Sequence, residues 1–337
     1  MTADSLARVA VGRSGVEVTR LVLGSAPLGG LYAAVSDERA QDTLEAAWRG
    51  GVRAYDTAPH YGVGLAEERI GRFLAGVPAG EATISSKVGR LLVDTEEDVE
   101  GVDEFYGTPR RRRVRDDSRD GVRRSVSESL RRLGIERLDI AFIHDPEGYE
   151  RQALDEAYPA LEELRAEGVV RAIGVGTKSA DVASWFVERA ELDCVMIAGS
   201  CSLLGVEATE QLFPACVRRG VTVLAAGVYK SGVLADPRPG AHVDYAPAPA
   251  TVLARVASIR TVCERHGVRL PAAALQYVLR HEEVGAVVVG AANAREVGEN
   301  LEYLDAEVPD ELFGELAHLG LTPALASRPH ASKDKEH

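Results

Sequence analysis

The sequence predicts an α/β chain folded as a (β/α)8 barrel. Eight short apolar runs of strand length recur along its 337 residues: Leu21–Gly24, Ala54–Thr57, Thr83–Lys87, Asp139–His144, Ala172–Gly176, Cys194–Gly199, Val221–Ala226 and Ala286–Gly290. Each run is continuous rather than alternating, as in parallel strands buried on both faces. A helical pattern follows most of them, and a succession of βα units points to a closed barrel over an open sheet. Such a barrel takes about 250 residues as one domain, so no second domain is required. Residues 1–320 are expected to form it, and 321–337 a C-terminal tail, partly disordered, that turns polar from about Arg328.

The elements follow in order. Before the first run, Arg8–Thr19 carries a Gly-Arg-Ser-Gly turn between apolar stretches and reads as a β-hairpin placed to plug the barrel floor. Asp37–Arg49 is helical, with Ser36 as N-cap and Gly50-Gly51 as its stop. Glu67–Leu74, Gly121–Leu133, Leu154–Glu167, Ala180–Arg189 and Thr209–Arg219 are the next helices. Pro271–His281 opens on a proline suited to a first helical turn, and Ala294–Leu304 follows the last strand. Two long loops break the rhythm. Val88–Asp120 holds an acidic run and then Arg110–Arg113, and Gly227–Ala250 is rich in Gly, Pro and Ala. Both follow strands, which puts them on the face where barrel active sites are built. The charge runs read either as solvated halves that neutralise each other or as a lid whose arginines meet an anionic ligand.

Composition excludes several classes. Lys plus Arg total 39 and Asp plus Glu 52, a net charge of -13. Nucleic-acid binding needs clustered cations, so no nucleic-acid partner is expected. No apolar run is long enough to span a membrane and no signal peptide is read, so a cytoplasmic location is expected. Cys194, Cys201, Cys216 and Cys263 form no C-x-x-C pair and read as buried reduced thiols. No P-loop, Rossmann glycine fingerprint or nucleophile elbow is present. His60 and His144 lack the carboxylate partners of a metal cluster, so no metal is expected.

The chemistry gathers at strand ends. Asp56 ends the second strand, and Tyr61 lies five residues beyond it. Lys87 ends the third strand and His144 the fourth. Adjacent strands are about 4.8 Å apart, so these side chains converge. A lysine held by an aspartate favours a neighbouring phenolate, which would make Tyr61 a proton donor or acceptor near neutral pH. A neutral His144 can hold a substrate oxygen where charge develops. These are the needs of hydride exchange between a nicotinamide and a carbonyl or alcohol.

The motifs resemble those of the aldo-keto reductases over about residues 7–305. They are Gly-Gly-Val-Arg-Ala-Tyr-Asp-Thr-Ala-Pro-His-Tyr-Gly at 50–62, Ser-Ser-Lys-Val-Gly at 85–89, Ser-Leu-Arg-Arg-Leu-Gly at 129–134 and Asp-Ile-Ala-Phe-Ile-His-Asp at 139–145. The resemblance implies a (β/α)8 barrel, a nicotinamide cofactor bound without a Rossmann fold, and Asp56, Tyr61, Lys87 and His144 as catalytic tetrad. The stretches 26–32, Lys87–Leu92 and Lys230–Leu234 are most similar to the bacterial aldose 1-dehydrogenase branch, which includes fucose-type sugar dehydrogenases and a pyridoxal dehydrogenase.

By the same resemblance, Gly24, Ser25, Asp56, Thr177, Lys178, Ser200, Gly227, Tyr229, Ser231, Gly290, Asn293, Glu296, Glu299 and Asn300 bind the cofactor. Three positions depart from the family. Lys178 stands where an Asn usually helps hold the carboxamide. Ser200-Cys201 replaces larger groups, which would widen the pocket. Ala226 stands where many members stack a tyrosine. NADP-using relatives place cations where this chain has Ala292 and Glu296, so NAD is the expected cofactor ahead of NADP. The substrate is expected to be a small carbonyl compound or sugar, oxidised at C1 to a lactone in the aldose case. A biosynthetic ketone or aldehyde reductase on the same barrel, or a non-catalytic nicotinamide-binding regulator, are the alternatives. Monomer and homo-oligomer both remain open.

Overall fold

The computed structural model describes residues 6–243 and 246–325. Eight parallel strands close into a barrel in chain order. They are β1 (Leu21–Gly24), β2 (Ala54–Asp56), β3 (Thr83–Val88), β4 (Leu138–His144), β5 (Val170–Thr177), β6 (Cys194–Ala198), β7 (Thr222–Ala226) and β8 (Val284–Gly290). Each expected run is a strand, its ends within about two residues of the expected ones. Alternation within a strand divides two cores. In β4, Ile140 and Phe142 point into the barrel, and Ala141 and Ile143 point out against the helices.

The hairpin Arg8–Val11/Val16–Thr19 closes the barrel floor as expected. Its Val11, Val16 and Val18 join the interior cluster with Val22, Ala54, Ile140, Phe142 and Met196. Polar bonds fix it there: the Gly12 amide donates to Thr222 Oγ1 at 2.9 Å, and Thr83 Oγ1 donates to Glu17 O at 2.8 Å. The floor is therefore packed shut, and chemistry is confined to the opposite, C-terminal end.

Several elements differ from expectation. The loop 88–120 contains an antiparallel hairpin, Arg90–Asp94 with Arg111–Arg115. Arg112 is exposed, whereas Arg111, Arg113 and Arg115 are engaged within the fold. Arg111 pairs with Glu68, Arg113 with Asp103 and Arg115 with Asp117. Arg113 also donates to His60 O, at 2.8 Å from Nη2. Arg115 Nη1 donates to His144 O at 2.8 Å and Asp145 O at 2.9 Å. They are struts that hold the loops at the barrel mouth.

Ala250–Arg265 is a helix that the apolar pattern did not announce, because only Val256, Ile259, Val262 and Cys263 of its residues are buried. Asp310–His318 is a further helix. The helix expected over 154–167 contains a π turn at Ala153–Ala157 before Tyr158–Ala166. The start of the tail is anchored, since Tyr277 Oη donates to Pro323 O at 2.9 Å. The stretch from Arg328 expected to fray lies outside the described residues. All four cysteines are free and buried, and among the described residues no helix is long and apolar enough to cross a membrane.

Candidate active site

Strand register brings the tetrad positions together. Asp56 lies opposite Gly24 on one side and Ser85 on the other. Lys87 shares the inward face with Ser85, two residues earlier, so its amine rises over Asp56. Lys87 Nζ is 2.7 Å from both carboxylate oxygens of Asp56 and 2.9 Å from Thr57 O. Ser85 Oγ donates to Asp56 Oδ1 at 2.7 Å. Both members of the ion pair are 2 % exposed. A buried pair of this kind is tolerated only because hydrogen bonds satisfy the remaining donors and lone pairs.

Tyr61 stands beside this pair, its ring centroid 4.8 Å from Lys87 Nζ. The Tyr61 ring meets that of His144 edge-on at 6.0 Å, and His60 packs against both. Phe105, buried and carried in by the long loop, lies parallel to Tyr61 at 6.4 Å. Close backbone packing sets the height of Tyr61. Gly62 has φ 60°, and a Cβ there would come within 2.2 Å of Gly29 O. Gly62→Ala therefore combines a clash with a strained dihedral. It is expected to cost about 1–3 kcal/mol of stability, readable as a lower denaturant midpoint.

The electrostatics correct one expectation. Burial holds the Tyr61 phenol well above its usual pKa, and Asp56 and Asp145 push the same way against Arg90. Burial is the largest cause, and the ammonium of Lys87 is accompanied by the Asp56 carboxylate, whose charge raises the phenol pKa. Burial likewise holds His144 well below the usual imidazole range, helped by Arg90 and Lys87. This direction favours the neutral imidazole. His60 is pushed down to about 2, first by burial and then by Arg113, and its Nδ1 is buried without a partner.

The expected cofactor positions fall in two groups. At the adenosine end, Asn293 caps the helix Ala294–Asp305 and accepts from the Glu296 amide at 3.0 Å. Glu296 folds back to accept from Ala292 N at 2.8 Å and Asn293 Nδ2 at 2.6 Å. Arg295 is tied to Glu299 at 2.8 Å. Across the mouth, Tyr229 Oη donates to buried Asn300 Oδ1 at 2.9 Å, which joins the loop after β7 to this helix. Ser231, with φ 54°, belongs to the same turn. Gly227 has φ 63° and backs onto Gly199, so that a Cβ would meet Gly199 N at 3.0 Å.

At the other end, Ser25 Oγ and Thr57 Oγ1 are buried with no partner, which suits a ligand with polar atoms. Thr177 Oγ1 donates to Glu147, and Ser200 Oγ donates to Lys178 O at 2.7 Å. Thr177 Oγ1 also accepts from the Ser179 amide at 3.0 Å, which leaves it one lone pair, and the Ser200 hydroxyl keeps acceptor capacity too; these match the amide hydrogens of a carboxamide. The residues therefore fit a nicotinamide dinucleotide, with Thr177 as acceptor rather than donor. Two positions behave otherwise. Cys201 is buried in the outer core, so its small size does not widen the mouth. Gly290 sits in register with Gly24, and its missing side chain makes room for Pro27, whose ring a Cβ would meet at 2.9 Å.

The sequence reading passed over Arg90, Asp145, Glu147 and Phe105. Arg90 lies in the stretch Lys87–Leu92 and Asp145 ends the motif at 139–145, both close to residues given roles, and that proximity is the available signal. Phe105 and Glu147 lie in loops with no periodic pattern.

A closed barrel with a Tyr–Lys–Asp–His group at its C-terminal mouth defines a class of oxidoreductase, and comparison gives the family. Residues 20–320 match the Aldo/keto reductase family, and the chain belongs to it. It is 41% identical over 321 residues to a D-threo-aldose 1-dehydrogenase of Pseudomonas sp, covering 93% of this chain and 98% of that protein. It is 37% identical over 332 residues to a pyridoxal 4-dehydrogenase of Microbacterium luteolum, covering 93% and 97%. The fold is that of an aldo-keto reductase from Bacillus halodurans, with a TM-score of 0.76 at 24% identity, covering 96% of this chain and 99% of that one.

Proposed function

We propose that this oxidoreductase oxidises an aldose at C1 to the lactone, with Tyr61 moving the proton and NAD as the preferred cofactor. The observation that carries the reading is the convergence of Tyr61, His144 and the buried Lys87–Asp56 pair at the open end of the barrel. The likeness to the aldose and pyridoxal dehydrogenases supports the substrate class. When bound, the nicotinamide supplies the hydride acceptor. Asn293, Glu299, Asn300, Tyr229 and Ser231 would hold its adenosine half, and Ser25, Thr177 and Ser200 the other half.

The chain's own residues do the rest. Neutral His144 donates a hydrogen bond to the substrate oxygen and holds it beside the Tyr61 hydroxyl. The alcohol proton leaves to the Tyr61 oxygen as the carbon gives up its hydride. Lys87 fixes a positive charge near the ring, and Asp56 fixes Lys87. The four unpaired, buried thiols support a cytoplasmic setting. The initial test is turnover of a panel of aldoses with NAD. Absorbance of reduced nicotinamide should appear with at least one aldose, and silence across the panel would reject the reading.

The sign of the pH dependence follows from the phenol. A pKa raised above the usual value keeps Tyr61 protonated at neutrality, whereas oxidation needs it to receive a proton. Oxidation should therefore climb from about pH 7 to about pH 10 without a plateau. His144, held neutral, should add no limb near its usual pKa of about 6.5. A pH–rate profile of kcat/KM that levels off near neutrality would contradict the raised phenol pKa.

Cofactor choice rests on Glu296. Its carboxylate already occupies the amide donors at the helix start, where a 2′-phosphate would seek them. Arg295 is engaged by Glu299, and Arg111 and Arg113 are struts elsewhere. NAD should exceed NADP by about tenfold in kcat/KM, which needs only about 1.4 kcal/mol. Titration with both cofactors checks this, and tighter binding of NADP would overturn it.

A further inference from the structure

We propose that Arg90 and Asp145 form a substrate-reading pair that recognises the hydroxyl on the carbon next to the reacting one. The inference deepens the aldose reading and rests on it.

The pair is built into the mouth. Gly89, with φ 102°, turns the chain out of β3, so Arg90 emerges three residues after Lys87. Arg90 Nη2 lies 3.1 Å from Asp145 Oδ2. The same carboxylate oxygen lies 3.6 Å from His144 Nε2, beyond an ordinary hydrogen bond. Side-chain exposures of 20% and 27% leave the pair open to a ligand without making it a surface bridge. Arg90 Nη1 is buried and has no partner.

Asp145 is held in place at some expense. It has φ 42°, rare for a residue with a Cβ and rarer before a proline such as Pro146. Three bonds maintain it: its amide donates to Gly176 O at 2.8 Å, and Arg115 donates to the carbonyls of His144 and Asp145. The Arg90 charge is felt at Tyr61, His60 and His144, which places the guanidinium among the reacting groups.

The chemistry suits one kind of partner. Arg90 Nη1 is a donor without an acceptor, and Asp145 is an acceptor beside it. A hydroxyl is both donor and acceptor, so one hydroxyl or a vicinal pair satisfies both groups. The substrate oxygen held by His144 brings the next carbon to this side of the pocket. In an aldose that carbon bears a hydroxyl. In a simple aldehyde it does not, and Arg90 Nη1 is left without an acceptor. Sites that hydrogen-bond a substrate hydroxyl reject analogues lacking it strongly, because their own groups go unsatisfied.

The test compares kcat/KM for an aldose and its 2-deoxy counterpart, which differ in this hydroxyl alone. Wild type should favour the aldose by about 10- to 100-fold, a lesser ratio than in fully buried sites because the pair is partly open. In Arg90→Met that ratio should collapse towards one, and Arg90→Lys should restore part of it. Asp145→Asn, which keeps shape and one acceptor, should fall between, and it decides the matter if Arg90→Met does not fold. Equal losses on both sugars with the ratio preserved would assign the pair a structural role and overturn the proposal, as would a wild-type ratio near one. If wild type oxidises no aldose, the aldose reading itself fails and this inference with it.

Discussion

Tyr61→Phe should lower kcat by about 10² to 10⁴-fold, the range that a positioned acid–base group contributes. The substitution removes one oxygen and leaves the ring. Its neighbours, Phe105 at 6.4 Å, His144 at 6.0 Å and the Lys87 ammonium at 4.8 Å, are contacts of the ring and persist. Stability and cofactor affinity should therefore stay close to wild type. That combination separates a lost proton carrier from a damaged fold. It is read by steady-state kinetics beside denaturant unfolding and cofactor titration. Near-normal turnover would remove Tyr61 from the mechanism and leave the group at the mouth as a packing cluster.

Lys87→Met should fail in two ways at once. Asp56 is buried, and its lone pairs are satisfied by Lys87 and Ser85. Without the ammonium, a carboxylate remains in the interior with one hydroxyl donor. Breaking a buried pair by removing one partner costs about 3–5 kcal/mol. The Thr57 carbonyl, just before the Tyr61 loop, also loses its donor. Turnover should drop about as far as in Tyr61→Phe, because both groups serve one proton transfer. The double variant should then be little worse than the worse single one. Unfolding at the wild-type midpoint would show that the pair is not the anchor described here. A fully additive double variant would show that the two residues act separately.

The barrel was legible because its strands are buried on both faces. Each then appears as an unbroken apolar run, as in Ala141-Phe142-Ile143, and charged residues at the run ends mark the mouth. Asp56, Lys87 and His144 were found that way. What escaped was set by tertiary contact. The hairpin Arg90–Asp94/Arg111–Arg115 pairs an apolar run, Leu91 to Val93, with a strand that is arginine except for Val114, and the carboxylates that neutralise it include Glu68, far away in sequence. Arg111 and Arg113 belong to what looks like a charge run in the sequence and are half-buried struts. The helix Ala250–Arg265 hides because the loop before it supplies no N-cap side chain and alanines dilute its apolar face.

The ionisation of Tyr61 escaped for a different reason. The sequence shows an ammonium near a phenol. It does not show that Asp56 and Thr57 O use every donor of that ammonium, or that Asp145 adds a second negative charge. Desolvation then decides the sign. The same holds for Thr177, whose hydroxyl proton goes to Glu147 across the mouth. In both cases the hydrogen-bonding role of the side chain depends on a neighbour from another part of the chain.

The most direct test of the account is the fate of the hydrogen on C1 of the substrate. An aldose carrying deuterium at C1 is incubated with the enzyme and NAD, and the reduced cofactor is isolated and weighed by mass spectrometry. The account predicts that the reduced nicotinamide gains the deuterium, with none released to water, and that Tyr61→Phe slows this transfer without redirecting the label. Deuterium appearing in water, or no transfer from any aldose while NAD binds, would contradict hydride removal from C1 at the Tyr61–His144 site.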